Sequence, residues 1–166
     1  MPITGFLIRH VQWPLMEALK GNRIRPYMKE LQAVQRLSAE ALTVQQREKL
    51  VKLLDHALQN VPAYTAFAPD WSKMREMPER FLQRIPVLTK THFRQNADQY
   101  LSQGQQTSRL IGNRTGGSTG EPTHFYLDRP TVERYEAARW LGLSWYGIRI
   151  GDPCVMIWGS PLELNA

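Results

Sequence analysis

The chain has 166 residues, which is enough for one domain, or for one domain with a small appendage. Apolar residues make up 42% and charged residues 22%, so a buried core is affordable and wholesale disorder is excluded; the single cysteine, Cys154, excludes a disulfide scaffold and a cysteine-rich zinc site. The net charge of +6, from 21 Lys and Arg against 15 Asp and Glu, is spread along interspersed pairs, which argues against a nucleic-acid surface.

The N-terminal stretch 1–16 (MPITGFLIRHVQWPLM) is apolar but has no basic lead, and Arg9 and His10 interrupt it where a signal peptide needs an unbroken apolar run. No stretch approaches the ~20 apolar residues of a bilayer span. A cytoplasmic protein with no transmembrane segment and no nucleic-acid partner is therefore expected. Residues 20–29 (KGNRIRPYMK) form the one basic run and read as a solvated loop, with an anionic surface as the alternative use.

The first hundred residues read as helices punctuated by proline. Ser38 is placed to cap a helix of about six turns, with Leu42, Leu50, Leu53, Leu54, Ala57, Leu58 and Val61 as its apolar positions and Pro62 as its end. His56 reads as a polar-edge or core histidine. Pro78 opens a short helix (PERFLQRI) that Pro86 breaks, and Thr89 caps another running to about Leu101, with Phe93, Ala97 and Tyr100 on one face. The polar stretch 102–108 (SQGQQTS) is the expected boundary between a helical section, 1–105, and a different section, 106–166.

Behind that boundary the period changes. Residues 109–114 (RLIGNR) and 123–128 (THFYLD) read as strands joined by a glycine-rich turn, with Phe125 and Leu127 alternating against His124, Tyr126 and Asp128. A helix from about Pro130 carries Val132, Tyr135, Ala138, Leu141 and Trp145 as its apolar stripe. It closes in 147–151, before a doubly covered strand at Cys154–Trp158 in which Cys154 is a small buried residue. The fold class expected is α/β: a helical N-terminal layer, then a strand-loop-strand-helix-strand unit. Left with an open edge, such a unit invites self-association.

The turn, Thr115-Gly116-Gly117-Ser118-Thr119-Gly120-Glu121-Pro122, has the composition of a phosphate cradle. Its glycines let successive N–H groups point into one concavity, and Thr115, Ser118 and Thr119 add hydroxyl donors. The same residues also make ordinary hairpin turns, and composition leaves both readings open. Neither a Walker A loop nor a dinucleotide fingerprint is present: Glu121 follows Gly120 where the first needs lysine, and a strand follows where the second opens a helix. The four histidines are scattered, with no metal spacing, and His124 near Ser118 lacks a G-x-S-x-G elbow. Trp140, Trp145 and Tyr146 read as core or interdomain packing, with stacking on a ligand as the alternative.

In its order the loop resembles the Thr-Ser-Gly-Ser/Thr-Thr-Gly-x-Pro signature of adenylate-forming enzymes. With residues 35–38 (QRLS), 50–64 (LVKLLDHALQNVPAY), 85–90 (IPVLTK), Phe125-Tyr126 and Gly151-Asp152, the chain is similar to the phenylacetate-CoA ligase branch, including the CapK type of capsular polysaccharide biosynthesis, over about 33–160. The resemblance implies an incomplete version of the N-terminal domain of an ATP- and Mg2+-dependent ligase. Such an enzyme activates a small carboxylic acid as its acyl-adenylate and passes the acyl group to a thiol such as coenzyme A. It also implies that Thr115, Gly116, Gly117, Ser118, Thr119 and Gly120 bind the ATP phosphates, with no catalytic residue or metal ligand carried over to this chain. Two positions depart from the signature: Gly116 replaces the usual serine and Thr123 a common lysine, removing a hydroxyl and a cation. The family's enzymes are longer, so the chain is expected to be inactive alone. It could be one chain of a split enzyme, a homo-oligomer, or a non-catalytic module that docks a partner through its amphipathic helices.

Overall fold

The structure, a computed structural model, describes residues 3–115 and 122–155. They are mostly helical, with one two-stranded antiparallel hairpin. The chain divides into two compact units, residues 1–36 together with 127–166, and residues 37–126. The polar stretch 102–108 falls inside the second unit.

In the first unit, α1 (Ile3–Leu7), a π-helical turn (Ile8–Gln12) and α2 (Trp13–Lys20) follow one another without leaving helical backbone angles. The wide turn precedes Pro14, whose ring would otherwise press on the carbonyl four residues back. Widening the helix absorbs that clash. α3 (Ile24–Val34) and α8 (Arg129–Trp145) pack together, burying Ile24, Tyr27 and Ala137, with Trp13, Met28, Leu31 and Trp140 half-buried around them. Asp128 caps α8 through its carboxylate, 2.8 Å from the Thr131 N–H. At the other end Ile148 N–H donates to the Leu143 carbonyl and Gly147 N–H to that of Ser144, a closure that needs the positive φ of Gly147.

The segment after α8 returns to the N-terminal helix. Arg9 donates to the Ile150 carbonyl and pairs with Asp152, both at 2.9 Å. Gly5 and Gly151 allow the two backbones to meet: a Cβ on Gly151 would lie 2.7 Å from the Gly5 carbonyl oxygen.

In the second unit, α4 (Ala39–Asn60) is capped by the Ser38 hydroxyl, 3.2 Å from the Ala41 N–H, and ends before Pro62, as the sequence implies. After a 3-10 turn (Pro62–Phe67) come α5 (Ala68–Met74) and α6 (Pro78–Leu82). Leu54 and Leu58 of α4, Trp71 of α5 and Phe81 of α6 form the core, with the Trp71 and Phe81 rings 4.9 Å apart. The Trp71 indole donates to Asp55 at 2.8 Å, and Arg75 pairs with the same carboxylate at 2.7 Å. Arg75 first, then Trp71, holds the Asp55 carboxyl below its ordinary range. α7 (Lys90–Gln95), two 3-10 turns (Ala97–Tyr100 and Thr107–Arg109) and the hairpin of β1 (Ile111–Arg114) and β2 (His124–Leu127) complete the described elements.

Several expectations are corrected. The helix capped by Thr89 ends at Gln95 rather than near Leu101, because the Asn96 side chain turns back onto the His92 carbonyl at 2.9 Å, competing with the next helical bond. Much of the basic run 20–29 is helix rather than solvated loop: Ile24 and Tyr27 are buried, and Arg25 pairs with the buried Glu17. α8 buries Glu133, Ala137 and Leu141, while Tyr135 and Trp145 are exposed. Ala137 is small enough to bring α8 against α3. Glu133 tolerates burial because Arg129 bonds it at 2.9 Å and also reaches the Lys20 carbonyl and Asn22. Leu53 is 61% exposed, since Leu54 and Leu58 take the inward side of α4. Cys154 is exposed instead of buried, and neither it nor Val155 is in a strand; 156–158, the rest of that expected strand, lie outside the described residues. No helix among the described residues is long and apolar enough to cross a membrane.

Candidate functional site

The hairpin sets the two ends of the glycine-rich loop. β2 alternates as its sequence implies, with His124 and Tyr126 exposed and Phe125 and Leu127 half-buried, while β1 is exposed throughout. One step beyond the strands, Thr115 N–H donates to the Thr123 carbonyl at 3.0 Å, and Thr123 N–H donates to Thr115 Oγ1 at 3.0 Å. Thr115 and Thr123 thus clamp the loop across its base.

This pairing changes what Thr115 can offer. Its amide is committed to the hairpin, so contact with an anion must come through its hydroxyl hydrogen. Gly116, Gly117, Ser118, Thr119 and Gly120, the remaining expected phosphate contacts, lie outside the described residues, as does Glu121. Thr123, just after the loop's proline, is buried, and its hydroxyl has no hydrogen-bond partner among the described residues. Arg114 is exposed at the end of β1, where the Asn113 side chain accepts from its N–H at 2.7 Å.

The other residues singled out in the sequence are dispersed. His56 is exposed on α4, 3.3 Å from both Asn60 and Ser102, a polar-edge histidine in a local network. Trp140 is half-buried, edge-on to Trp13 at 6.0 Å, whereas Trp145 and Tyr146 are 68% and 84% exposed and pack in no core of their unit. No three His, Cys, Asp or Glu side chains among the described residues converge on a metal-sized space.

Two concave surfaces had no signal in the sequence pattern. In the second unit a cavity of about 320 Å³ is lined by Tyr64, Phe67, Ile85, Val87, His92 and Tyr100 among others. The rings of Tyr64 and Tyr100 meet edge to face at 5.8 Å, and burial, helped by Tyr100, raises the Tyr64 phenol above its ordinary range. In the first unit a cavity of about 360 Å³ opens between residues of α3, α8 and the segment 148–150, with Arg9 at its wall. Helical spacing could have flagged Trp140 and Ser144, but not the return of 148–150 beside them.

Comparison with protein-family models, curated proteins and solved structures yields no match.

Proposed function

We propose that this chain supplies the phosphate-gripping portion of an adenylate-forming ligase of the phenylacetate-CoA ligase type. The observation that carries the reading is the Thr-Gly-Gly-Ser-Thr-Gly-Glu-Pro order at 115–122, held at its base by the reciprocal Thr115–Thr123 hydrogen bonds. Joining the ends of a loop lowers the chain entropy lost when it closes on a ligand, and the Thr115–Thr123 bonds supply such a joined base.

In this reading the Ser118 and Thr119 hydroxyls and the amides of Gly116, Gly117 and Gly120 hold the β- and γ-phosphates of ATP, with Thr115 contributing its hydroxyl hydrogen. When a carboxylate oxygen of the acid substrate attacks the α-phosphorus, the bond to the bridging oxygen breaks and charge grows on departing pyrophosphate. Donors already in place there lower the barrier. Magnesium accompanies the nucleotide, and coenzyme A or another thiol accepts the acyl group; no catalytic residue is assigned to this chain. Isothermal titration with Mg-ATP tests the reading: wild type gives a saturable signal and Gly117→Val, whose side chain would fill the concavity, loses it. Equal binding by both proteins contradicts it.

A second reading, a module that docks another chain, draws on the exposed Tyr135, Trp145 and Tyr146 of α8 and its C-terminal end. Pull-down with wild type and with Trp145→Ser/Tyr146→Ser separates the two: this reading requires a partner lost from the double variant while Mg-ATP binding is unchanged.

A further inference from the structure

We propose that the cavity of about 360 Å³ in the first unit is a binding site for a single-tailed amphiphilic anion, a medium-chain fatty carboxylate or alkyl phosphate. Its walls supply the two halves of such a ligand separately. Met28, Trp140, Ile148 and Ile150 give an apolar floor, while Arg9, Arg25, Lys29 and Arg149 bring four cations to its lining, and no carboxylate among the described residues lines it.

The four cations are not equivalent. Arg9 is held by Asp152 and the Ile150 carbonyl, and Arg25 by Glu17, so these two build the wall. Lys29 and Arg149 are exposed, and neither side chain has an ion pair or hydrogen bond among the described residues. Two cations without a partner among the described residues, beside an apolar hollow, select a ligand with one charged end and a hydrocarbon body. A neutral alcohol would leave the cations unanswered, and a compact dianion would leave the floor wet. The Trp140 side chain carries a reporter: its indole N–H is buried without a partner among the described residues. This inference stands apart from the ligase reading, since it uses no residue of the 115–122 loop.

The test is titration of the 15N-labelled full chain with monomeric sodium decanoate, following the Trp140 indole N–H and assigning it with Trp140→Phe. A saturable shift with a dissociation constant of about 1 mM or tighter is expected. Lys29→Gln/Arg149→Gln, at exposed side chains without a bonding partner among the described residues, weakens it about tenfold or more, and 1-decanol gives at most a tenth of the affinity. Ser144→Phe, placed to fill the hollow, abolishes the shift, with circular dichroism and decanoate-independent amide peaks reporting its fold. No shift, an equal affinity for decanol, or an unchanged affinity in the Lys29/Arg149 variant overturns the proposal. So does binding only to vesicles of mixed neutral and anionic phospholipid, since that locates the attraction in a membrane surface rather than in the hollow.

Discussion

Phe81 is the side chain on which the second unit's core depends most. It is fully buried on α6, against Leu54, Leu58 and the Trp71 ring. Phe81→Ala removes the transfer free energy of most of a benzyl group, about 2 kcal/mol. It also forfeits the ring contact with Trp71, about 0.5–1 kcal/mol, and leaves a cavity worth a further 1–2 kcal/mol where α4, α5 and α6 cannot close fully. The sum, about 4 kcal/mol, lies within the 3–5 kcal/mol typical of such truncations, and in a unit of this size it lowers Tm by on the order of 15 °C or more. Urea denaturation, read with hydrogen exchange of peptides spanning 50–85, measures it. Phe81→Leu, which keeps most of the volume, loses about 1–1.5 kcal/mol. A loss below about 1 kcal/mol for Phe81→Ala refutes the reasoning, because it would mean that the four side chains do not form one packed core.

Arg129→Ala strands the buried Glu133 and destabilises the first unit by about 2–3 kcal/mol, and adding Glu133→Gln recovers roughly half; thermal melts of both variants check this, and no recovery contradicts the ion-pair account. Gly151→Val adds a Cβ 2.7 Å from the Gly5 carbonyl oxygen at φ +91° and costs roughly 2–3 kcal/mol, measured as a fall in Tm. Asp55 has a folded pKa below its unfolded value of about 3.9, so its contribution is complete above that value and is lost as pH falls through the folded pKa. Asp55→Asn is therefore about 1 kcal/mol less stable at pH 7, and the difference narrows below pH 4; a constant gap from pH 7 to pH 3 contradicts the assignment.

The second unit was the more legible in sequence. Ser38, Pro62, Pro78 and Thr89 mark helix ends by local chemistry, and the structure begins or ends helices at each of them. The hairpin was legible too, because Phe125 and Leu127 alternate against polar neighbours. The first unit was not. Its core joins α3 to α8 across a hundred residues, and no local period reveals that partner. An apolar stripe drawn on α8 alone selects Tyr135 and Trp145, while the structure buries Glu133 and Ala137, one for its partner Arg129 and the other for its small size. Of the glycine-rich loop, the order of residues was legible. The clamp at Thr115 and Thr123 required coordinates, since nothing in the composition says which amide closes the hairpin.

The proposed grip of residues 115–120 on a nucleotide's phosphates is tested most directly by adding Mg-ATP to the labelled full chain while recording both protein amide and 31P spectra. The account predicts that the β- and γ-phosphate signals broaden, that amide shifts gather at 115–123, and that Ser118→Ala together with Gly117→Val removes both. Sharp phosphate signals, or shifts that gather instead around Arg23–Lys29 and persist in the loop variant, contradict it.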